Sequence, residues 1–155
     1  MRRFLSVLAV ALVAVSAFSQ GRERPSEADV MRFRNEMRTY KHDFLARELN
    51  LSQEQQREFF PVYDEMDDAV ERVGRETRDL EKQVREKKQA SDVEIEAAAR
   101  ALFEQKSAEG EIEKQYFDRL KQTLTPLQLL KLKEAERKFT RQLMRQHQHH
   151  KARQQ

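Results

Sequence analysis

The sequence predicts an all-α chain, and three observations carry that prediction. Glycine occurs only at 21, 74 and 110 and proline only at 25, 61 and 126, so the turn punctuation that hairpins and sheets require is missing. Apolar residues recur at three- and four-residue spacing through most of the chain beyond residue 26. One short element also stands in front of such a pattern twice, as Leu51-Ser52-Gln53-Glu54-Gln55 and as Leu124-Thr125-Pro126-Leu127-Gln128. The expected fold is four amphipathic helices in an elongated hairpin or bundle.

The first helix is predicted to begin at Ser26, after Pro25, with Asp29 in its first turn and Val30, Phe33, Met37, Tyr40 and Phe44 as its stripe. It ends near Asn50, where the first repeated element starts. In a capping box a Ser or Thr side chain accepts from the third helical N–H, and a Gln three residues on accepts from the cap's own N–H. Leu51, Ser52 and Gln55 have this spacing, and so do Leu124, Thr125 and Gln128.

From Ser52 the second helix carries a heptad stripe of Phe59, Tyr63, Met66, Val70, Val73, Thr77, Leu80 and Val84, of coiled-coil type. Pro61 lies inside it and removes one backbone hydrogen bond, which predicts a bend or loosened turn rather than a terminus. The pattern stops past Lys88, and Ser91 with Glu94 opens a third helix through Ile95, Ala98, Leu102, Gln105, Glu109, Ile112, Tyr116 and Leu120. Its middle, at Gln105, Lys106, Glu109 and Gly110, is polar where a seam is usually apolar. The fourth helix starts at Thr125, with Pro126 at the first helical position and Leu124 placed to staple Leu129. It uses Leu127, Leu130, Leu132, Ala135, Phe139 and Leu143 and then passes into a Gln, His, Lys and Arg tail over 147–155 that is expected to fray. At 1.5 Å per residue, helices two and three should each reach roughly 45–50 Å.

The first residues have the build of a secretory signal peptide: Arg2 and Arg3, an apolar run from Phe4 to Phe18, and the small residues of Ala17-Phe18-Ser19. The run is shorter than the ~20 apolar residues of a spanning helix, so cleavage after Ser19 and a mature chain with no membrane span are expected. In a bacterium that chain is periplasmic. A single helical domain is assigned to residues 20–146.

Loss of Arg2 and Arg3 leaves 28 Lys and Arg against 27 Asp and Glu, so the mature chain is almost neutral. The charge is segregated: from Lys131 onward eight Lys and Arg face Glu134 and Glu136, and the remainder is acidic. Cysteine is absent, which excludes disulfide stapling and thiolate chemistry. With 37% of residues charged, burying apolar stripes between two copies is easier than building one large core, and a dimer is expected.

Catalysis finds little support. No histidine stands near the capping hydroxyls, and glycine-rich phosphate loops are missing. Asp64, Asp67, Asp68 and Glu71 share one helical face, which reads as a solvated acidic surface. Nucleic-acid binding by the basic tail is not expected of an exported chain.

The paired Leu-Ser/Thr-x-x-Gln elements, behind a signal peptide and within four amphipathic helices, resemble the periplasmic Spy/CpxP family, which is related to zinc-resistance-associated proteins and heavy-metal sensors. The resemblance covers about Ser26 to Met144. It implies an ATP-independent chaperone of the envelope stress response: a curved, antiparallel helical homodimer whose concave face holds unfolded or partly folded clients. Leu51, Ser52, Gln55, Leu124, Thr125 and Gln128 carry over as structural marks alone. Arg32, Phe33, Arg34, Met37 and Arg38 set cations beside adaptable apolar surface and are the candidate client contacts, with burial of Phe33 and Met37 in a core as the ordinary alternative. Phe59, Phe60, Tyr63 and Met66 read as core before client surface.

The sensor relatives supply a second expectation. His147, His149 and His150 lie together in the tail, and the imidazoles at 147 and 150 would share a helix face suited to Zn, Ni or Cu, although neighbouring cations oppose it. A metal-resistance role through a membrane-bound sensor kinase or anti-sigma factor would follow. No other cofactor is indicated.

Overall fold

The computed structural model describes residues 26–153, with backbone alone for 147 and 149–153. The proposed signal peptide, 1–19, lies outside the described residues. Among these residues there are four helices and no strand: α1 (Glu27–Glu48), α2 (Gln53–Glu86), α3 (Asp92–Thr123) and α4 (Pro126–Arg153). No helix among them is long and apolar enough to cross a membrane.

Local chemistry sets each boundary. Ser26 caps α1 by accepting from the Asp29 N–H at 3.1 Å, while its hydroxyl donates to the Asp29 carboxylate at 2.6 Å. The helix stops at Asn50, whose φ of 52° is the left-handed conformation that Asn tolerates better than most residues. Ser52 and Gln55 form a complete capping box at α2, and Ser91 and Glu94 form another at α3. Pro61 sits inside a continuous α2 and is exposed, so the carbonyl that loses its partner has access to water. The thinning of apolar residues after Met144 does not end α4. Its backbone stays helical to Arg153, where the sequence alone suggested a frayed tail.

The contacts gather the described residues into two units. Residues 51–133 form one, in which α2 and α3 run antiparallel as a helical hairpin joined by the turn at 87–91. Its core contains Phe59, Tyr63, Met66 and Thr77 of the expected α2 stripe, while Val70, Val73, Leu80 and Val84 are half-buried. Phe59 and Tyr63 are fully buried and stacked, with ring centroids 5.2 Å apart, and Met66, Ala69 and Thr77 continue the buried face. Across from them lie buried Ala98, Leu120 and Leu124. Arg119 of α3 joins Glu65 of α2 at 2.7 Å and lies over the Tyr116 ring at 5.0 Å; the ion pair holds its proton even more firmly than usual. The polar middle of α3 packs beside a glycine of α2. Gly74 of α2 is buried, and an added Cβ there would stand 3.5 Å from the Gln105 amide, which itself donates to Glu109 at 2.7 Å. At 3.5 Å that would be an ordinary contact; the tighter neighbour is Arg78 of the same helix, whose Nη1 would stand 3.2 Å away.

The described residues up to Asn50, with those from Glu134 onward, form the other unit. Here the Phe139 ring of α4 packs between Tyr40 and Phe44 of α1, at centroid distances of 5.5 and 5.4 Å. Leu45, Leu49 and Ala135 complete a small buried cluster. Lys138 bonds Glu48 at 2.9 Å, and the Gln142 amide donates to the Tyr40 hydroxyl.

Candidate functional site

The two repeated elements meet. Each glutamine uses its carbonyl oxygen on its own cap: Ser52 N–H donates to Gln55 Oε1 at 3.1 Å and Thr125 N–H to Gln128 Oε1 at 2.9 Å. Each amide nitrogen then donates across to the other glutamine, Gln55 Nε2 to Gln128 Oε1 at 2.8 Å and Gln128 Nε2 to Gln55 Oε1 at 3.2 Å. Gln55 Nε2 reaches the Thr123 carbonyl as well, at 3.1 Å. The hydroxyls close the boxes by accepting from Gln55 and Gln128 N–H. Leu51 and Leu124, one residue before each cap, are both buried. The start of α2, the end of α3 and the start of α4 are therefore tied by one amide clasp. Sequence reasoning identified both caps and missed their union, although a box repeated 73 residues apart was itself the available signal.

The clasp is part-buried and hydrogen-bonded, with no titratable group in it, so it offers structure and no chemistry. Surface capable of binding lies elsewhere. On α1, Phe33 is 42% exposed and Met37 half-buried, as are Arg34 and Arg38, while Arg32 is exposed. Phe33 is thus outside the core formed by the described residues, and Met37 is only partly covered; Phe139 of α4 packs on Tyr40 and Phe44, and of the α1 stripe only Phe44 is buried. By contrast, Phe59, Tyr63 and Met66 are core, as expected.

Further apolar surface was not anticipated. Phe103 of α3 is 90% exposed and Phe117 is half-exposed; fourteen residues apart, they lie on nearly the same side of the helix with exposed Gly110 midway. Ile95 and Leu102, assigned to the α3 seam, are also exposed, as are Leu127 and Leu130 of the α4 stripe. The heptad signal placed them correctly on helices but could not say that no described helix lies over them. Lys106, Lys114 and Glu111 border this surface, with ion pairs Lys106–Glu109 and Lys114–Glu111 along its flank.

The side chains of His147, His149 and His150 lie outside the described residues, although the helical backbone passes through all three positions. Among the described residues no group of three His, Asp or Glu side chains is placed to hold a metal ion. Comparison with family models, with curated proteins and with solved structures returns no match.

Proposed function

We propose that this chain is an exported, ATP-independent holding chaperone of the Spy/CpxP type, acting as a homodimer in the periplasm and limiting aggregation of unfolded clients. One observation carries the reading. Phe103, Phe117, Leu127, Leu130, Met31 and Phe33 stand in water on helices whose remaining surface is densely charged. Such an arrangement suits weak apolar contact with many partners, with surrounding charge keeping the holder itself in solution. Interleaving of Phe33 and Met37 with Arg32, Arg34 and Arg38 supports the same reading on α1. The core of the α2–α3 hairpin is separately secured by Phe59 and Tyr63, so the exposed residues are not needed for folding.

The deciding experiment is light scattering from a heat- or reductant-denatured substrate with the mature chain added up to equimolar ratio. Suppression that weakens in Phe103→Ser/Phe117→Ser, with helicity retained, is the expected result. Unchanged scattering at equimolar protein refutes the holding function. A heavy-metal sensor for Zn, Ni or Cu acting on a membrane-bound signalling partner is the second reading, favoured by the helical backbone at 147–150. It takes over if scattering is unchanged while zinc or nickel binds at micromolar affinity or better and alters the fold.

A further inference from the structure

The unit built from α1 and α4 contains an open cavity of about 420 Å³, within the size range of small-ligand pockets. Phe44 and Glu48 of α1 form one wall, and Lys138, Arg141, Gln142 and Arg145 of α4 form the other. We propose that this cavity binds an acidic peptide segment, with a carboxylate between Arg141 and Arg145 and a neighbouring apolar side chain against Phe44.

Charge gives the first argument. Lys138 is already committed to Glu48 at 2.9 Å, with Glu134 at 3.6 Å, and those carboxylates raise its pKa. Arg141 and Arg145 are exposed and have no carboxylate partner among the described residues. They stand one helical turn apart, where like charges repel. A guanidinium does not relieve that repulsion by losing its proton, and a bound anion would relieve it. The planar fork of either guanidinium matches a carboxylate bidentately.

The remaining lining selects a peptide over a bare anion. Phe44 is buried at the base and backed by Phe139, which offers an apolar surface for a side chain. Gln142 is held in place by its bond to the Tyr40 hydroxyl, and Gln146 adds a second amide able to donate to and accept from a peptide backbone. A phosphate ion would use the guanidinium groups and leave the ring and both amides without a role. The site uses none of the exposed residues of α3 and does not depend on the chaperone reading.

Fluorescence anisotropy of the mature chain with a short labelled peptide containing Glu-Phe-Glu, against its Gln-Phe-Gln counterpart, tests the assignment at low salt. The acidic peptide should bind about tenfold more tightly or better, as charge-assisted bidentate pairs predict. Arg141→Gln/Arg145→Gln should abolish that preference with helicity unchanged. Arg137→Gln, which removes one charge from the same helix outside the lining, should alter it by no more than about twofold. Equal binding of the two peptides, or equal weakening by Arg137→Gln, overturns the proposal. A single-stranded oligonucleotide that binds more tightly than the peptide and is lost in the double variant overturns it in favour of a nucleic-acid site.

Discussion

Replacing the two clasp glutamines by leucine, singly and together, puts a number on their union. Gln128→Leu removes the acceptor for Thr125 N–H and both bonds exchanged with Gln55, at 2.8 and 3.2 Å. At about 1 kcal/mol net for each bond, the variant should lose about 3 kcal/mol. Gln55→Leu removes the acceptor for Ser52 N–H, the donor to Thr123 and the same two exchanged bonds, or about 4 kcal/mol. Because two bonds are shared, the double variant should cost about 5 rather than 7 kcal/mol, a coupling of about 2 kcal/mol. Urea unfolding followed by tyrosine fluorescence is suitable, since the chain lacks tryptophan and Tyr63 is fully buried in the same unit. A second arm reverses the chemistry. Gln55→Glu/Gln128→Glu puts two carboxyl groups at hydrogen-bond distance, where both cannot ionise and one is held protonated above its unfolded pKa. That pair stabilises below the unfolded pKa of about 4.3 and loses its contribution as pH rises, so the variant should be weakest at neutral pH. Strict additivity of the leucine variants, or a carboxyl pair indifferent to pH, would refute the clasp.

Phe59→Ala should cost about 3–5 kcal/mol in the same urea assay, because the ring is fully buried against Phe60 and Tyr63. Phe103→Ser should change stability by less than about 0.5 kcal/mol while reducing client holding in the scattering assay. Gly110→Ala should stabilise by about 0.5–1 kcal/mol, measured as a rise in Tm, since an added Cβ meets nothing within 4 Å. Glu94 is held down at about 2 by Lys87 and by the backbone and side chain of Ser91. With its folded pKa below the unfolded value, it stabilises above about pH 4.5 and stops doing so as pH falls towards 2, a slope that Glu94→Gln should flatten in acid unfolding curves.

Helix identity and helix starts were legible in the sequence because both rest on near neighbours. A hydroxyl at the cap, a Gln or Glu three residues on, and a stripe at heptad spacing are complete within one or two turns. Ser26, Ser52, Ser91 and Thr125 therefore cap where the sequence places them. Burial was legible in part on α2, where Phe59, Tyr63, Met66 and Thr77 are buried and Val70, Val73, Leu80 and Val84 are not. Exposure of Leu102, Leu127 and Leu130 depends on whether another helix lies across them, a fact of packing that periodicity does not contain. Phe33 is exposed for the same reason. The Gln55–Gln128 pairing joins residues distant in sequence, and nothing in either box alone demands it. At the C-terminus, Gln, Lys and Arg are good helix formers, so α4 outlasts its own apolar stripe.

The clasp also has a bearing on the order in which the chain acquires its structure. The α2–α3 hairpin turns within five residues and can close outward from that turn as far as Glu65 and Arg119, 54 positions apart, all of which are made before residue 128. Residue 128 must find residue 55 across 73 positions, a contact that carries the entropy of a long closed loop. Synthesis from the N-terminus delivers that glutamine late. The clasp is thus expected to form after the hairpin, and nascent chains ending short of residue 128 should open and reclose their α2–α3 pair more readily than complete ones.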